Sequence, residues 1–215
     1  MMILRRSPFA RRRAIWLVAA LLAASVAFTA ATSSVVAKQA PAAASAERIS
    51  LLGVPNAAHV EGALYRGAQP RPEAFAELRK FGIAVVVDFR DNRDDIRREK
   101  QRVEAQGMTF VSVPWNPQNN PSRENVRSFF TALRDYQGKS IFIHCERGAD
   151  RTGTMIALYR IAYDHWTPER ALAEMRSFHY WDHLLPHLAR YVEAFPATLA
   201  ADPSLAAQAI PATTQ

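Results

Sequence analysis

The sequence predicts an α/β fold: a single domain with a central, mostly parallel sheet flanked by helices on both faces. Short continuous apolar runs, typical of strands buried on both sides, alternate along the chain with longer amphipathic segments. The length of 215 residues suits one domain with flanking segments, and no internal repeat divides it. Apolar residues make up 49% and charged residues 22%, proportions that exclude a globally disordered chain.

Three apolar runs predict the main strands of the sheet: Ile83 to Phe89, Met108 to Trp115 and Lys139 to His144. Helical segments separate these runs, and strands joined by helices run parallel. In parallel sheets of this kind the ligand binds beyond the carboxyl ends of the strands. The residues that follow His144 are therefore the first candidates for a functional site.

The helices are predicted from apolar periodicity and from capping residues. Gly82 is typical of the residue after a helix, and Thr167 followed by Pro168 is typical of a helix start. The mixed-charge run from Arg93 to Glu104 predicts a helix face exposed to solvent. The predicted helices cover Pro72 to Phe81, Asn92 to Ala105, Ser122 to Tyr136, Arg151 to Asp164, a segment that begins at Thr167, and Leu184 to Phe195.

The two ends of the chain differ in composition from the predicted domain at residues 49–196. Residues 1–37 contain five arginines and then an uncharged run from Ala14 to Ala31, typical of a signal peptide or, if uncleaved, of an N-terminal anchor. Residues 38–48 predict a flexible linker, and residues 197–215 predict a flexible tail. We therefore expect an exported protein, periplasmic or membrane-anchored outside the cytoplasm, that contacts a membrane only through an uncleaved leader.

Charge and cysteine content narrow the classes of function. The net charge is +7, and subtracting the five leader arginines leaves +2, which argues against a nucleic-acid partner. Cys145 is the only cysteine, so an intramolecular disulfide is impossible. A lone thiol in an oxidising compartment is explained by catalysis or by burial. We expect a monomer.

The loop at residues 144–153 reads His-Cys-Glu-Arg-Gly-Ala-Asp-Arg-Thr-Gly and carries the strongest chemical signal. Cys145 ends a buried strand, Gly148 permits a tight turn, and Arg151 opens a helix. The intervening backbone N–H groups can then converge on one anion at the helix N-terminus, where the positive field also favours a thiolate. The planar fork of Arg151 can hold two phosphoryl oxygens. The loop therefore predicts a thiolate nucleophile beside an anion site.

These residues resemble the His-Cys-x5-Arg-(Ser/Thr) signature of the protein tyrosine phosphatase superfamily. Further segments resemble its small bacterial and fungal dual-specificity branch: residues 65–70, 86–90, 159–160 and 171–175. The resemblance implies that Cys145 attacks phosphorus, Arg151 binds the phosphoryl group, Thr152 stabilises the thiolate as a leaving group, and His144 supports the loop. It implies neither a metal nor another cofactor. The substrate-binding residues expected on this basis are Glu146, Arg147, Gly148, Ala149 and Thr152.

The general acid is the point at which the sequence departs from the family pattern. The family carries an aspartate on a loop about thirty residues before the cysteine, but residues 115–121 contain no carboxylate. Asp150, inside the loop at residues 144–153 (the phosphate loop), resembles a candidate acid of myotubularin-like and Sac-type lipid phosphatases. It is equally well placed to cap the helix that follows. Glu124, in the first turn of the helix that follows residues 115–121, is the remaining alternative.

The sequence leaves alternatives open for both the substrate and the reaction class. Phosphotyrosine or mixed phosphoprotein substrates are favoured, while phosphoinositides, inositol phosphates and small phosphomonoesters stay open. Glu146 and Asp150 make the loop less positive, whereas Arg66, Arg90 and Arg147 add positive charge. Competing functions are a phosphate-binding pseudophosphatase and a rhodanese-like sulfurtransferase, whose cysteine loop is typically shorter by one residue.

Two further patterns carry less weight. The histidines at positions 179, 183 and 187 have a spacing that could bind zinc, but Pro186 interrupts a continuous helix there, so a pocket rim or solvated turn is favoured. Trp115 is placed either beside the substrate or in the core.

Overall fold

The structure, a computed structural model, describes residues 44–209. The predicted leader at residues 1–37, most of the predicted linker and residues 210–215 of the predicted tail lie outside the described residues. Within residues 44–209, no helix is both long and apolar enough to cross a membrane.

The sheet has six strands in the order β1-β2-β3-β6-β4-β5. β3 pairs parallel with β6, β6 with β4, and β4 with β5, while β1 and β2 add an antiparallel edge beside β3. The prediction of a mostly parallel sheet is confirmed. The strands are β1 (Glu47–Arg48), β2 (Ala58–Glu61), β3 (Leu64–Ala68), β4 (Val85–Asp88), β5 (Thr109–Ser112) and β6 (Ile141–Cys145).

The described part of the chain has seven helices: α1 (Ala74–Phe81), α2 (Arg93–Ala105), α3 (Arg123–Asp135), α4 (Asp150–Ala162), α5 (Pro168–Ser177), α6 (Pro186–Ala201) and α7 (Pro203–Ala209). The predicted boundaries of the first five agree with the structure to within two residues at the predicted ends. Gly82 ends α1 with φ 100°, and the Thr167 side chain accepts a hydrogen bond from the N–H of Arg170 at the start of α5. Local capping chemistry thus sets these ends.

Helices cover both faces of the sheet because successive strand residues alternate between two cores. Ile141 and Ile143 of β6 pack into the larger core with α3, α4, α5 and α6, whereas Phe142 packs into the smaller one with α1 and α2. Each fully buried side chain of this size contributes roughly 1.5–3 kcal/mol. This confirms the fold class, and it places the end of β6 in the middle of the sheet.

The ordered domain extends beyond the predicted boundaries at both ends. β1 lies inside the predicted linker, and the N–H of Ala46 donates to Glu174 Oε1 at 2.6 Å. At the other end, residues 197–209 complete α6 and form α7, although a flexible tail is predicted there. Leu205 explains this difference, because its side chain is buried in the larger core. Composition alone does not reveal such a single anchoring residue.

Candidate active site

The loop between β6 and α4 lies at the carboxyl edge of the sheet, as its position after a central strand predicts. Cys145 is the last residue of β6, and α4 begins at Asp150. Gly148 turns the chain with φ 66°, and a Cβ there would lie 2.4 Å from the carbonyl group of Gly67. Only glycine meets both the backbone conformation and the close approach.

A cavity of about 350 Å³ opens beside this loop. Cys145 and Arg151 both line it, and both are largely buried. The structure therefore brings together the two residues predicted as nucleophile and phosphate clamp. The complete lining is Pro117, Gln118, Cys145, Glu146, Arg147, Asp150, Arg151, Trp181, Leu184 and Leu185.

The guanidinium of Arg151 is oriented by residues from two other loops. Its Nη1 donates to Asp91 Oδ1 at 2.8 Å and to the backbone carbonyl of Trp115 at 3.3 Å. Asp91 is not among the site residues that the sequence predicts. Its position three residues after β4 could have indicated it, because β4 neighbours β6 and their carboxyl ends share one edge. Trp115 is buried in the larger core, so its backbone rather than its ring reaches the site.

Asp150 lines the cavity but does not cap α4 with its side chain. The N-cap residue is Ala149, and no side-chain capping bond is present there. The Asp150 carboxylate instead accepts from Arg147 Nη1 at 3.0 Å and from the backbone N–H of Trp181 at 3.2 Å. The capping prediction is therefore wrong. Asp150 links the phosphate loop to the segment between α5 and α6.

The predicted acid loop lies at the cavity, and the alternative acid does not. Pro117 and Gln118 line the cavity, and His187 Nε2 lies 3.0 Å from the carbonyl oxygen of Pro117. Glu124 is absent from the lining; its side chain is 72% exposed and pairs with Arg127 on the surface of α3.

The rim of the cavity is apolar and aromatic. Trp181 and Leu184 are exposed there, and the Arg147 guanidinium stacks 3.2 Å from the centroid of the Trp181 ring. Arg147 Nη2 also donates to the carbonyl of His179 at 3.4 Å. The Glu146 side chain is exposed, and its Oε2 lies 3.8 Å from Arg151 Nη2. The segment that contains the three predicted histidines thus forms a pocket rim.

His144 lies behind the loop in a buried cluster of charges. Its Nε2 lies 2.6 Å from Glu99 Oε1, and its Nδ1 lies 3.2 Å from the carbonyl oxygen of Cys145. Burial disfavours the imidazolium, but the carboxylates of Glu99 and Asp88 outweigh it and raise the pKa of His144. Glu99 is itself buried, although it belongs to the mixed-charge run that predicts a solvent-exposed helix face.

The same cluster is the group of potential metal ligands found in residues 44–209, since the ligand atoms of Asp88, Glu99 and His144 lie within 4.8 Å of one another. Arg90 already supplies positive charge there: its Nη2 donates to Asp88 at 2.7 Å and to Glu99 at 2.5 Å. Arg90 and Arg66, which the sequence predicts to make the loop more positive, are both buried, and neither lines the cavity.

Thr152 is fully buried on the first turn of α4, one residue after Arg151. Its hydroxyl has no hydrogen-bond partner among the described residues. A buried hydroxyl without a partner is uncommon in a packed protein. It is compatible with the proposed interaction with the thiolate at Cys145.

A family model described as "DSP-PTPase phosphatase fused to NAD+ Kinase" matches residues 35–181, which include the whole phosphate loop. The chain belongs to this family. Its place in the cysteine-dependent protein tyrosine phosphatase superfamily, predicted from the signature at residues 144–152, is confirmed.

Relatives of this DSP-PTPase chain include the dual specificity protein phosphatase TpbA of Pseudomonas aeruginosa strain UCBPP-PA14. The two are 29% identical over 117 residues, which cover 53% of this chain and 50% of TpbA. The chain thus spans about half the length of that curated relative. The crystal structure of P. aeruginosa TpbA superposes with TM-score 0.59 at 25% identity, over 72% of this chain and 91% of TpbA.

The same fold occurs in a yeast protein. The core catalytic domain of the PP-IP phosphatase SIW14 from S. cerevisiae has TM-score 0.58 at 20% identity, over 71% of this chain and 95% of that domain. Because the identity is 20%, this similarity shows the fold alone.

Proposed function

We propose that this chain hydrolyses phosphomonoesters through a cysteinyl-phosphate intermediate. One observation carries the proposal: Cys145 and Arg151 line a single cavity at the junction of a buried strand and a helix N-terminus. An anion that enters this cavity meets the loop N–H groups, the helix dipole and a guanidinium together. A thiolate at Cys145 lies in the same field and is a strong nucleophile.

The reaction then has two displacements. The Cys145 sulfur attacks phosphorus, an S–P bond forms, and the bond from phosphorus to the leaving oxygen breaks as that oxygen takes a proton. Water next attacks phosphorus and gives a proton to the carboxylate that protonated the leaving oxygen, the S–P bond breaks, and inorganic phosphate leaves with the thiolate regenerated. Arg151 and the loop N–H groups stabilise the charge on the non-bridging oxygens in both steps. The Thr152 hydroxyl can donate to the sulfur as it departs.

Asp150 is the proposed proton donor for the leaving oxygen. It is a carboxylate in the cavity lining, whereas Glu124 lies outside that lining. To donate, Asp150 must carry a proton on an oxygen that now accepts from either Arg147 or Trp181. Binding of substrate beside Arg147 offers a way to release one of these bonds, because a phosphoryl group competes for the guanidinium.

Phosphotyrosine and mixed phosphoprotein substrates fit the cavity best. Its rim presents Pro117, Trp181, Leu184 and Leu185, apolar groups that can pack against the ring of a phosphotyrosine. TpbA is named a dual specificity protein phosphatase and has been crystallised with phosphotyrosine. Inositol phosphates carry several negative charges and require several cations, whereas the cavity lining contains two, Arg147 and Arg151, and each is paired with a carboxylate.

Three measurements test the proposal. Wild type should release phosphate from phosphotyrosine peptides and aryl phosphates, while Cys145→Ser should release none, since a serine hydroxyl in this field remains protonated. Acid quenching of wild type with ³²P-labelled substrate should trap label on the peptide that contains Cys145. The variant should still bind tungstate through the loop. Turnover by a contaminant-free Cys145→Ser preparation, or wild type that binds tungstate without hydrolysing any phosphomonoester, overturns the proposal, the latter in favour of a pseudophosphatase.

A further inference from the structure

The side of the phosphate loop that faces away from the cavity is held by specific hydrogen bonds. When the N–H groups of a loop converge on an anion, the carbonyl groups of the same peptides point outward. In a buried setting these carbonyls need donors. The carbonyl of Glu146 accepts from the backbone N–H of Gln69 at 3.2 Å. The next two carbonyls, of Arg147 and Gly148, accept from side chains.

Asn56 is the first of these donors. Its Nδ2 lies 3.3 Å from the carbonyl oxygen of Arg147 and 3.2 Å from that of Gly148. The same nitrogen lies 3.3 Å from the carbonyl oxygen of Phe178, at the end of α5. Arg48 Nη1 donates to Asn56 Oδ1 at 3.1 Å, so both ends of the amide are engaged.

The backbone of Asn56 also explains why this residue type stands here. Its φ of 54° lies in the left-handed region, which asparagine adopts more readily than most other residues with a side chain. The position thus requires both an unusual backbone conformation and an NH₂ group that points at carbonyl oxygens. No other standard side chain of this length supplies an amide.

Arg66 is the second donor, and it is fully buried. Its Nη2 donates to the carbonyl of Gly148 at 2.7 Å, and its guanidinium lies 4.0 Å above the ring of Phe178. Its Nε and Nη1 have no hydrogen-bond partner among the described residues. Burial lowers the pKa of Arg66 to about 10, so the side chain still carries its charge at neutral pH.

We propose that Asn56 and Arg66 are positioning residues that hold the carbonyl side of the phosphate loop and so aim its N–H groups at the bound phosphoryl group. The close contact of Gly148 with Gly67 completes this support, because it leaves the loop no room to relax toward β3. The inference rests on the proposed function for its catalytic meaning. The proposed effect of these hydrogen bonds is on anion binding, which can be measured without turnover.

The test measures oxyanion binding rather than turnover. Tungstate affinity is determined by calorimetry in the Cys145→Ser background, so the result stands even for a chain that hydrolyses nothing. Asn56→Asp keeps the size and backbone preference of the residue but places a carboxylate against the carbonyls. We expect it to weaken tungstate binding about tenfold or more, since buried acceptors lose their donor. Gln101→Glu, the same amide-to-acid change at an exposed site on α2, should leave the affinity unchanged.

Arg66 variants test the second donor. In the Cys145→Ser background, Arg66→Met should weaken tungstate binding more than Arg66→Lys does. Asn56→Gly, which tolerates the same φ, replaces Asn56→Asp in a preparation where the aspartate variant does not fold. Folded variants whose tungstate affinity stays within about twofold of the parent overturn the proposal.

Discussion

At the scale of single residues, the cavity pairs each cation with a carboxylate before any substrate enters. Arg151 is held by Asp91 at 2.8 Å, and Arg147 is held by Asp150 at 3.0 Å. A phosphoryl group must compete with these carboxylates for both guanidinium groups. This arrangement orients both guanidinium groups before substrate binds, which lowers the conformational-entropy cost of binding.

The proton donor can be identified by the leaving group of the substrate. A phenolic oxygen of high pKa needs protonation as it departs, whereas a nitrophenolate leaves well without it. Asp150→Asn should therefore lower turnover of phosphotyrosine by about 10²- to 10⁴-fold, or roughly 3 to 5 kcal/mol of barrier, and lower turnover of p-nitrophenyl phosphate much less.

Steady-state kinetics on the two substrates decides the role of Asp150. Glu124→Gln is the matched control, since it makes the same acid-to-amide change on a carboxylate outside the cavity lining. An equal loss on both substrates for Asp150→Asn assigns the residue to loop positioning through Arg147 and Trp181. A selective loss for Glu124→Gln moves the acid to α3.

At the scale of elements, α2 and β6 are joined by buried charges rather than by apolar contacts alone. Glu99 from α2 reaches His144 on β6, and Arg90, after β4, pairs with both Glu99 and Asp88. Such a cluster is strongly coupled, because removal of one charge leaves the others buried without compensation. Its position behind Cys145 ties the stability of the domain to the geometry of the site.

Glu99→Gln should destabilise the protein by about 3–5 kcal/mol, the usual cost of breaking a buried ion pair. The pH dependence should change as well. Because the pKa of His144 is raised in the folded state, its contribution to stability is present below the unfolded value of about 6.5. That contribution is lost as pH rises through the folded value. In Glu99→Gln this loss on the alkaline side should shrink.

Denaturant unfolding between pH 5 and about 9 measures both effects, with the titration of His144 followed by NMR. Glu104→Gln provides the control, since Glu104 lies on the same helix and its side chain is exposed. A Glu99→Gln protein with the stability and pH profile of wild type contradicts this account of the cluster.

At the scale of the whole chain, the composition of residues 1–37 leads us to propose export. Fractionation should place the protein in an extracytoplasmic or membrane fraction. Leu21→Arg, which puts a charge in the middle of the uncharged run, should retain the full-length chain in the cytosol, since an arginine there costs about 2.5–3.5 kcal/mol of membrane insertion. Wild type found only in the cytosol at full length contradicts the proposal.

Features that depend on neighbours along the chain could be predicted from the residues alone. The central strands follow from short apolar runs, and the ends of α1 and α5 follow from Gly82 and Thr167, because periodicity and capping are local. The spacing of Cys145 and Arg151 is local too, since one strand, one loop and one helix start contain the whole anion site.

Which distant residues complete that site depends on the tertiary structure. Asn56, Arg66, Asp91 and Glu99 come from four different segments, and each meets the loop or its supports only because the strands pack in the order they do. It also decided that Arg66 and Arg90 are buried and that Leu205 anchors the last helix. The physical reason is the same in each case: burial and long-range pairing depend on how whole elements pack, which no local pattern of residue types records.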